Sequence, residues 1–129
     1  MPHIDPIRVL VADDSPVALR SVCDYLDFAG GLEVVCTASD GINAVQLAAQ
    51  HKPDLALLDF RMPRLNGLQA AQALRRAYPT LRLIIYSEIQ GTTLEQECRN
   101  HGADAYVSKG RLPDGLLHEI RRLFPGAAL

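Results

Sequence analysis

The chain has 129 residues, a length that fits one domain with a core of its own and no need of disulfide support. At 48% hydrophobic and 22% charged it sits inside the soluble globular range and outside the disordered one. A formal net charge of −2 offers no basic field to DNA, RNA or anionic lipid, which disfavours a direct nucleic-acid or membrane role for this chain.

Five short apolar runs alternate with five longer segments of helical periodicity. Ile7–Ala12 is short and dense in branched apolar residues, which predicts a strand buried on both faces. Ser15-Pro16, a capping residue with proline at the first helical position, opens a helix. Val17, Leu19, Val22, Cys23, Leu26 and Phe28 recur along it until Gly30-Gly31. A second strand follows over 32–37. Asp40-Gly41 opens a second helix carrying Ile42, Val45, Leu47, Ala48 and Ala49, and Pro53 closes that segment. Residues 55–58 form a third buried strand. Asn66 caps a third helix with Leu68, Ala71 and Leu74 inside, and Pro79 ends it. The fourth strand is predicted over 81–86. A more polar helix runs over 92–101 and stops at Gly102. A short fifth strand covers 105–107. The last helix is predicted over 112–124, with Leu116, Leu117, Ile120 and Leu123 facing in. Residues 1–6 and 125–129 carry no packing pattern and are expected to be flexible ends.

This alternation predicts an α/β domain over 1–129, core 7–123, with a parallel sheet covered on both faces. Right-handed crossovers leave few topologies, and the doubly wound five-stranded order 2-1-3-4-5 is the common one. Ligands in such sheets bind at the carboxyl ends of the strands, beside the switch point between strands one and three. Cys23, Cys36 and Cys98 are odd in number and form no CxxC pair, so they read as reduced thiols. No apolar run approaches the ~20 residues of a bilayer span. The first residues, with no basic stretch before an apolar one, do not read as a signal peptide.

Asp13-Asp14 follows the first strand and Asp59 the third. In the predicted order these strands are neighbours, about 5 Å apart, so three carboxyl groups converge at one edge of the sheet. Like charges that close repel unless a cation intervenes. A hard divalent ion with oxygen ligands answers that need, and Mg²⁺ takes a few carboxylates plus waters. Ser87 after strand four and Lys109 after strand five point to the same edge. Carboxylates for a metal, one ammonium and one hydroxyl together suit a phosphoryl group.

Four signals share one order and spacing across roughly 7–123. They are the pair Asp13-Asp14, the run Asp59-Phe60-Arg61-Met62-Pro63 continuing to Asn66-Gly67, Ser87 closing an apolar strand, and Tyr106 three residues before Lys109. Together they resemble a response-regulator receiver domain of two-component signal transduction, with its flavodoxin-like fold. The resemblance implies that Asp59 is the nucleophile forming an aspartyl phosphate. It implies that Asp14, Asp59 and the backbone carbonyl of Arg61 bind Mg²⁺, with Mn²⁺ able to substitute, and that Asp13 acts through a metal-bound water. Lys109 would pair with phosphoryl oxygens. Ser87 would move to the phosphoryl group, and Tyr106 would turn inward with it, changing the face of helix four, strand five and helix five. The implied partners are a sensor histidine kinase or histidine phosphotransfer protein upstream, an unidentified output downstream, and a second copy in a phosphorylation-dependent homodimer. The implied setting is a bacterial cytoplasm. Such a chain modifies itself and dephosphorylates itself without being a turnover enzyme. No DNA-binding output fits within it, so it is expected to be a stand-alone receiver or the receiver part of a longer protein.

Two positions depart from the pattern. Glu88 stands where receivers commonly carry a small residue, and an acid there would crowd or repel the phosphate. Gly110 stands where many receivers have proline after the lysine. Similar lysine surroundings occur in receivers of the LuxR-like type, the subfamily favoured here. Arg61 and Ile89 occupy positions where receivers vary and phosphate lifetime is tuned.

Other functions stay in view. A haloacid-dehalogenase-like phosphatase needs a second acid two residues beyond its nucleophile, and Arg61 stands there. A flavodoxin-type binding module needs a phosphate cradle where this chain has Asp13-Asp14, and no P-loop occurs. A pseudo-receiver that only docks or dimerises keeps the fold without the chemistry. Singly, each residue also has a plainer reading. Asp13-Asp14 could cap a helix, Ser87 could cap the next one, Lys109 could be a surface lysine, and Tyr106 a half-buried strand aromatic. His3, His51, His101 and His118 lack metal-ligand spacing, and Arg75-Arg76 and Arg121-Arg122 read as solvated helix ends.

Overall fold

A computed structural model of the chain describes residues 5–127. The strands are β1 (Ile7–Ala12), β2 (Leu32–Ala38), β3 (Leu55–Asp59), β4 (Arg82–Ser87) and β5 (Ala105–Ser108). The helices are α1 (Pro16–Ala29), α2 (Gly41–His51), α3 (Gly67–Ala77), α4 (Thr92–Asn100) and α5 (Asp114–Leu123). All pairings are parallel, in the order β2-β1-β3-β4-β5 that the alternation predicts.

Successive residues of a strand point to opposite faces, so each buried strand feeds two cores. Leu10, Ala56, Leu58, Leu83 and Ile85 pack with α2, α3 and Cys98 of α4. Val9, Val11, Leu55, Leu57, Ile84 and Val107 pack with Val22 and Leu26 of α1 and Leu116 and Ile120 of α5. Small residues form the buried stripes of α2 (Ala44, Ala48) and much of that of α3 (Ala70, Ala71). Ser15, Asp40 and Asn66 each accept a backbone N–H of the helix they cap, and Asn66 forms a reciprocal capping box with Gln69.

The structure amends the predicted elements in three places. Val17 and Phe28, counted on the apolar stripe of α1, are 79% and 95% exposed, because the stripe turned to the sheet runs through Val22 and Leu26. The last helix starts two residues later than predicted. Leu112 is extended before Pro113, as a residue preceding proline tends to be, and a 3₁₀ turn over Lys109–Arg111 fills the gap. On α2 the core residues are Ala44 and Ala48, while Ala49 is exposed. The expectation of loose ends falls partly on residues 1–4 and 128–129, outside the described residues, as does His3. Ala127 packs on the second core. Among the described residues, no helix is long and apolar enough to cross a membrane.

Candidate functional site

The carboxyl edge of the sheet gathers the predicted residues. Asp13 leaves β1, Asp59 ends β3, Ser87 ends β4 and Lys109 follows β5. Asp13, Asp59 and Ser87 are the three buried polar or charged residues among those described, while Asp14 faces solvent. One carboxylate oxygen from each of Asp13, Asp14 and Asp59 lies within 4.8 Å of the others. Among the described residues no other group of acids, histidines or cysteines has this convergence.

Each carboxylate is aimed by local backbone. Asp13 accepts the Ser15 N–H at 2.9 Å on one oxygen and the Tyr86 hydroxyl at 2.8 Å on the other. Asp59 accepts the Arg61 N–H at 3.3 Å. The turn after Asp59 is held close to the start of α3. The Gly67 N–H donates to the Phe60 carbonyl at 2.8 Å, and a Cβ on Gly67 would lie 2.5 Å from the Asp59 carbonyl oxygen. Only glycine permits that approach. Further along the turn Arg64 has a φ of +68° while the Leu65 N–H donates to the Pro63 carbonyl, a strained γ-turn conformation costing about 1–3 kcal/mol.

Charge at this edge is out of balance. The Lys109 Nζ lies 3.5 Å from Asp59 and 3.7 Å from Asp13, one ammonium for three carboxylates. Burial, and then the neighbouring Asp13, push the Asp59 carboxyl up to about 7, against the smaller opposing pull of Lys109 and the Arg61 N–H. The donor set fits a hard divalent cation, since every candidate ligand is oxygen and a cation would relieve this repulsion. The exposed Asp14 leaves that corner open to solvent.

Ser87 is 2% exposed, and its Oγ accepts the Ile89 N–H at 3.1 Å, so it braces its own turn and does not cap α4, whose N-cap is Gly91. The Tyr106 hydroxyl donates to the carbonyl of the same Ile89. Ser87 and Tyr106 thus grip one peptide segment from its two sides. Tyr106 is buried and already inward, where the resemblance left it to turn in. Glu88 and Arg61 are exposed.

Tyr86 is the residue that sequence reasoning missed. It counted there only as the last residue of an apolar strand. The structure aligns it with Asp59 across the β3–β4 pair, puts its hydroxyl on Asp13, and sets its ring 5.4 Å beneath the Lys109 ammonium. Burial and the Asp13 charge hold its phenol far above the usual range, so it acts as a fixed donor. The available signal was chemical: a buried tyrosine needs a hydrogen-bond partner, and the acids were the partners at that edge.

Comparison with known proteins gives one answer. The model of the response regulator receiver domain family matches residues 9–121. The nitrate/nitrite response regulator protein NarP of Escherichia coli is 36% identical over 121 residues, covering 94% of this chain and 56% of that protein. The signal receiver domain of the putative response regulator NarL from Mycobacterium tuberculosis superposes with a TM-score of 0.86 at 31% identity, covering 95% of this chain and 98% of that one. A LuxR-family two-component response regulator from Aurantimonas sp. SI85-9A1 superposes with a TM-score of 0.85 at 26% identity, covering 95% of this chain and 87% of that one. The chain spans little more than half the length of NarP.

Proposed function

The chain belongs to the response regulator receiver domain family, in its LuxR-like branch, and from that premise we propose that it is the phosphoacceptor of a two-component phosphorelay, with Asp59 as acceptor. The observation that carries this reading is the site's charge. Three carboxylate oxygens lie within 4.8 Å of one another, Asp59 is the buried acid with the raised carboxyl, and Lys109 stands 3.5 Å from it.

In the transfer step an Asp59 carboxylate oxygen attacks the phosphorus of a phosphohistidine on a kinase or phosphotransfer protein. An O–P bond forms, the N–P bond breaks, and the imidazole leaves with the electron pair and takes up a proton. Asp14, Asp59 and the Arg61 carbonyl would hold Mg²⁺ or Mn²⁺, with Asp13 supporting it through water. When bound, the cation would neutralise phosphoryl oxygens and offset the burial and the Asp13 charge that raise the Asp59 carboxyl. Lys109, supported by the Tyr86 ring beneath it, neutralises a second phosphoryl oxygen. Ser87 offers its hydroxyl to a third. Its Oγ already accepts the Ile89 N–H, and Tyr106 holds the same residue's carbonyl, so a displacement of Ser87 toward the phosphoryl group pulls on one peptide segment and reaches the α4–β5–α5 face. The protein modifies itself, and the result is read by an output partner or a second copy.

The test is intact-protein mass after incubation with acetyl phosphate, with and without Mg²⁺. One phosphoryl group should appear only with the cation, and borohydride reduction should mark Asp59 as its carrier. Cation binding without any phosphoryl gain would turn this reading into that of a docking-only receiver.

A further inference from the structure

The turn from Asp59 to α3 carries the Arg61 carbonyl, and it is held from outside the acid site. Arg64 reaches across to the first residues of α2, where its Nη2 donates to both carboxylate oxygens of Asp40 at 3.1 and 3.0 Å. Asp40 is also the N-cap of α2 and accepts the Asn43 N–H at 2.7 Å. Beside it the backbone of Leu65 lies against Gly41 so closely that a Cβ on Gly41 would fall 2.1 Å from the Leu65 carbonyl oxygen. Between these contacts Arg64 stands at a φ of +68°, a conformation a residue with a side chain keeps only where its surroundings impose it.

Three observations therefore meet on one turn: an ion pair in which one guanidinium nitrogen of a half-exposed Arg64 spans both Asp40 oxygens, a contact only glycine allows, and a strained backbone. We propose that Asp40, Gly41 and Arg64 are positioning residues for the divalent cation, a clamp that seats the Arg61–Leu65 turn on the start of α2 and thereby fixes where the Arg61 carbonyl sits. The clamp rests on the reading of the acid site as a cation site. None of its three residues belongs to the acid cluster of Asp13, Asp14 and Asp59. Its effect is on preorganisation: without it the turn relaxes toward ordinary backbone, and the carbonyl ligand must be ordered when the cation binds.

Gly41→Ala gives a directional test. Gly41 is the first residue of α2 and does not stand at a left-handed φ, so alanine costs the helix itself nothing and harm comes through the displaced turn. Mg²⁺ affinity is measured by calorimetry on the full chain, with thermal melting in EDTA alongside. Gly41→Ala should bind Mg²⁺ at least tenfold more weakly. Asp40→Asn keeps a capping side chain and loses the charge, and should bind about two- to fivefold more weakly. Arg64→Met should weaken binding by a similar factor, and Arg64→Lys, which restores the cation at the same strained position, should recover most of it. EDTA melting of the Asp40 and Arg64 variants should stay near that of the wild type, which a merely structural pair would not allow together with lost affinity. Wild-type binding with Asp40→Asn and Arg64→Met both within the error of the wild type would overturn the clamp even if Gly41→Ala failed to fold. A wild type that binds no Mg²⁺ would remove the cation site itself, and the clamp with it.

Discussion

Charged residues gather at both edges of this sheet, and the two gatherings differ in kind. At the amino edge Arg75 donates to the carbonyls of Pro79, Leu81 and Gly102 and to the Asp104 carboxylate, at 2.6 to 3.0 Å. Asp104 also accepts the Leu83 N–H at 2.9 Å, and Arg82 approaches its other oxygen at 3.6 Å. Donors and acceptors match, and the network ties α3, β4 and the entry to β5. At the carboxyl edge three acids face one lysine that stands at 3.5 and 3.7 Å from two of them. A satisfied charge cluster holds a fold together, and an unsatisfied one waits for something to complete it. The difference lies in the ratio of partners, not in the number of charges.

The largest effect separating the two edges is expected from Asp59→Asn, which should abolish phosphoryl gain in the mass measurement while leaving the fold intact. The same variant reports on the imbalance through pH. With its carboxyl at about 7 against an ordinary 3.8, Asp59 keeps a proton in the metal-free native state that the unfolded chain has lost. Stability of the metal-free wild type should therefore fall as pH rises through that window, by the order of a few kcal/mol, and level off above it. Urea denaturation in EDTA at pH 5 and pH 8 should show this slope in the wild type and a much reduced one in Asp59→Asn. Equal slopes would mean that the acid edge carries no strain of charge.

Arg75→Met is the complementary break at the other edge. It should cost about 2–4 kcal/mol in urea denaturation, because three carbonyls lose the guanidinium and Asp104 keeps only the Leu83 N–H and the more distant Arg82. Mg²⁺ affinity should stay at the wild-type value. A loss of affinity with it would erase the distinction between the edges. Lys109→Ala removes the single cationic partner within the site. Removing the one ammonium should slow phosphorylation by acetyl phosphate at least tenfold in a mass time course, an effect of about 1.4 kcal/mol, while changing Mg²⁺ binding less. The smallest effect belongs to Glu88→Ala. Glu88 is exposed, so its repulsion of an incoming phosphate is screened, and phosphorylation should quicken by about two- to threefold at low salt. An unchanged rate would mean that Glu88 does not repel the incoming phosphate.

The contrast also explains what could be read in the sequence. Strand order and the meeting of Asp13, Asp14, Asp59, Ser87 and Lys109 were legible because each follows a buried apolar run, and parallel topology sends all such positions to one edge. Arg75 was not legible. It sits at the end of a helix, where a solvated arginine is the usual finding, and its carbonyl partners are set by loop geometry that no periodicity encodes. Tyr86 was hidden by its own hydrophobicity, and the exposure of Phe28 by a spacing that nearly fits the buried stripe of α1. The late start of α5 was legible in principle, since Pro113 restricts the residue before it.

The charge imbalance at the carboxyl edge is read most plainly by a carbon-13 NMR titration of the Asp59 side-chain carboxyl, with Mg²⁺ and in its absence. The midpoint should lie at about 7 without the cation and move far down when Mg²⁺ saturates the site. A midpoint near the ordinary 3.8 in both conditions would mean that neither burial nor the Asp13 charge burdens Asp59, and the carboxyl edge would not be waiting for a cation.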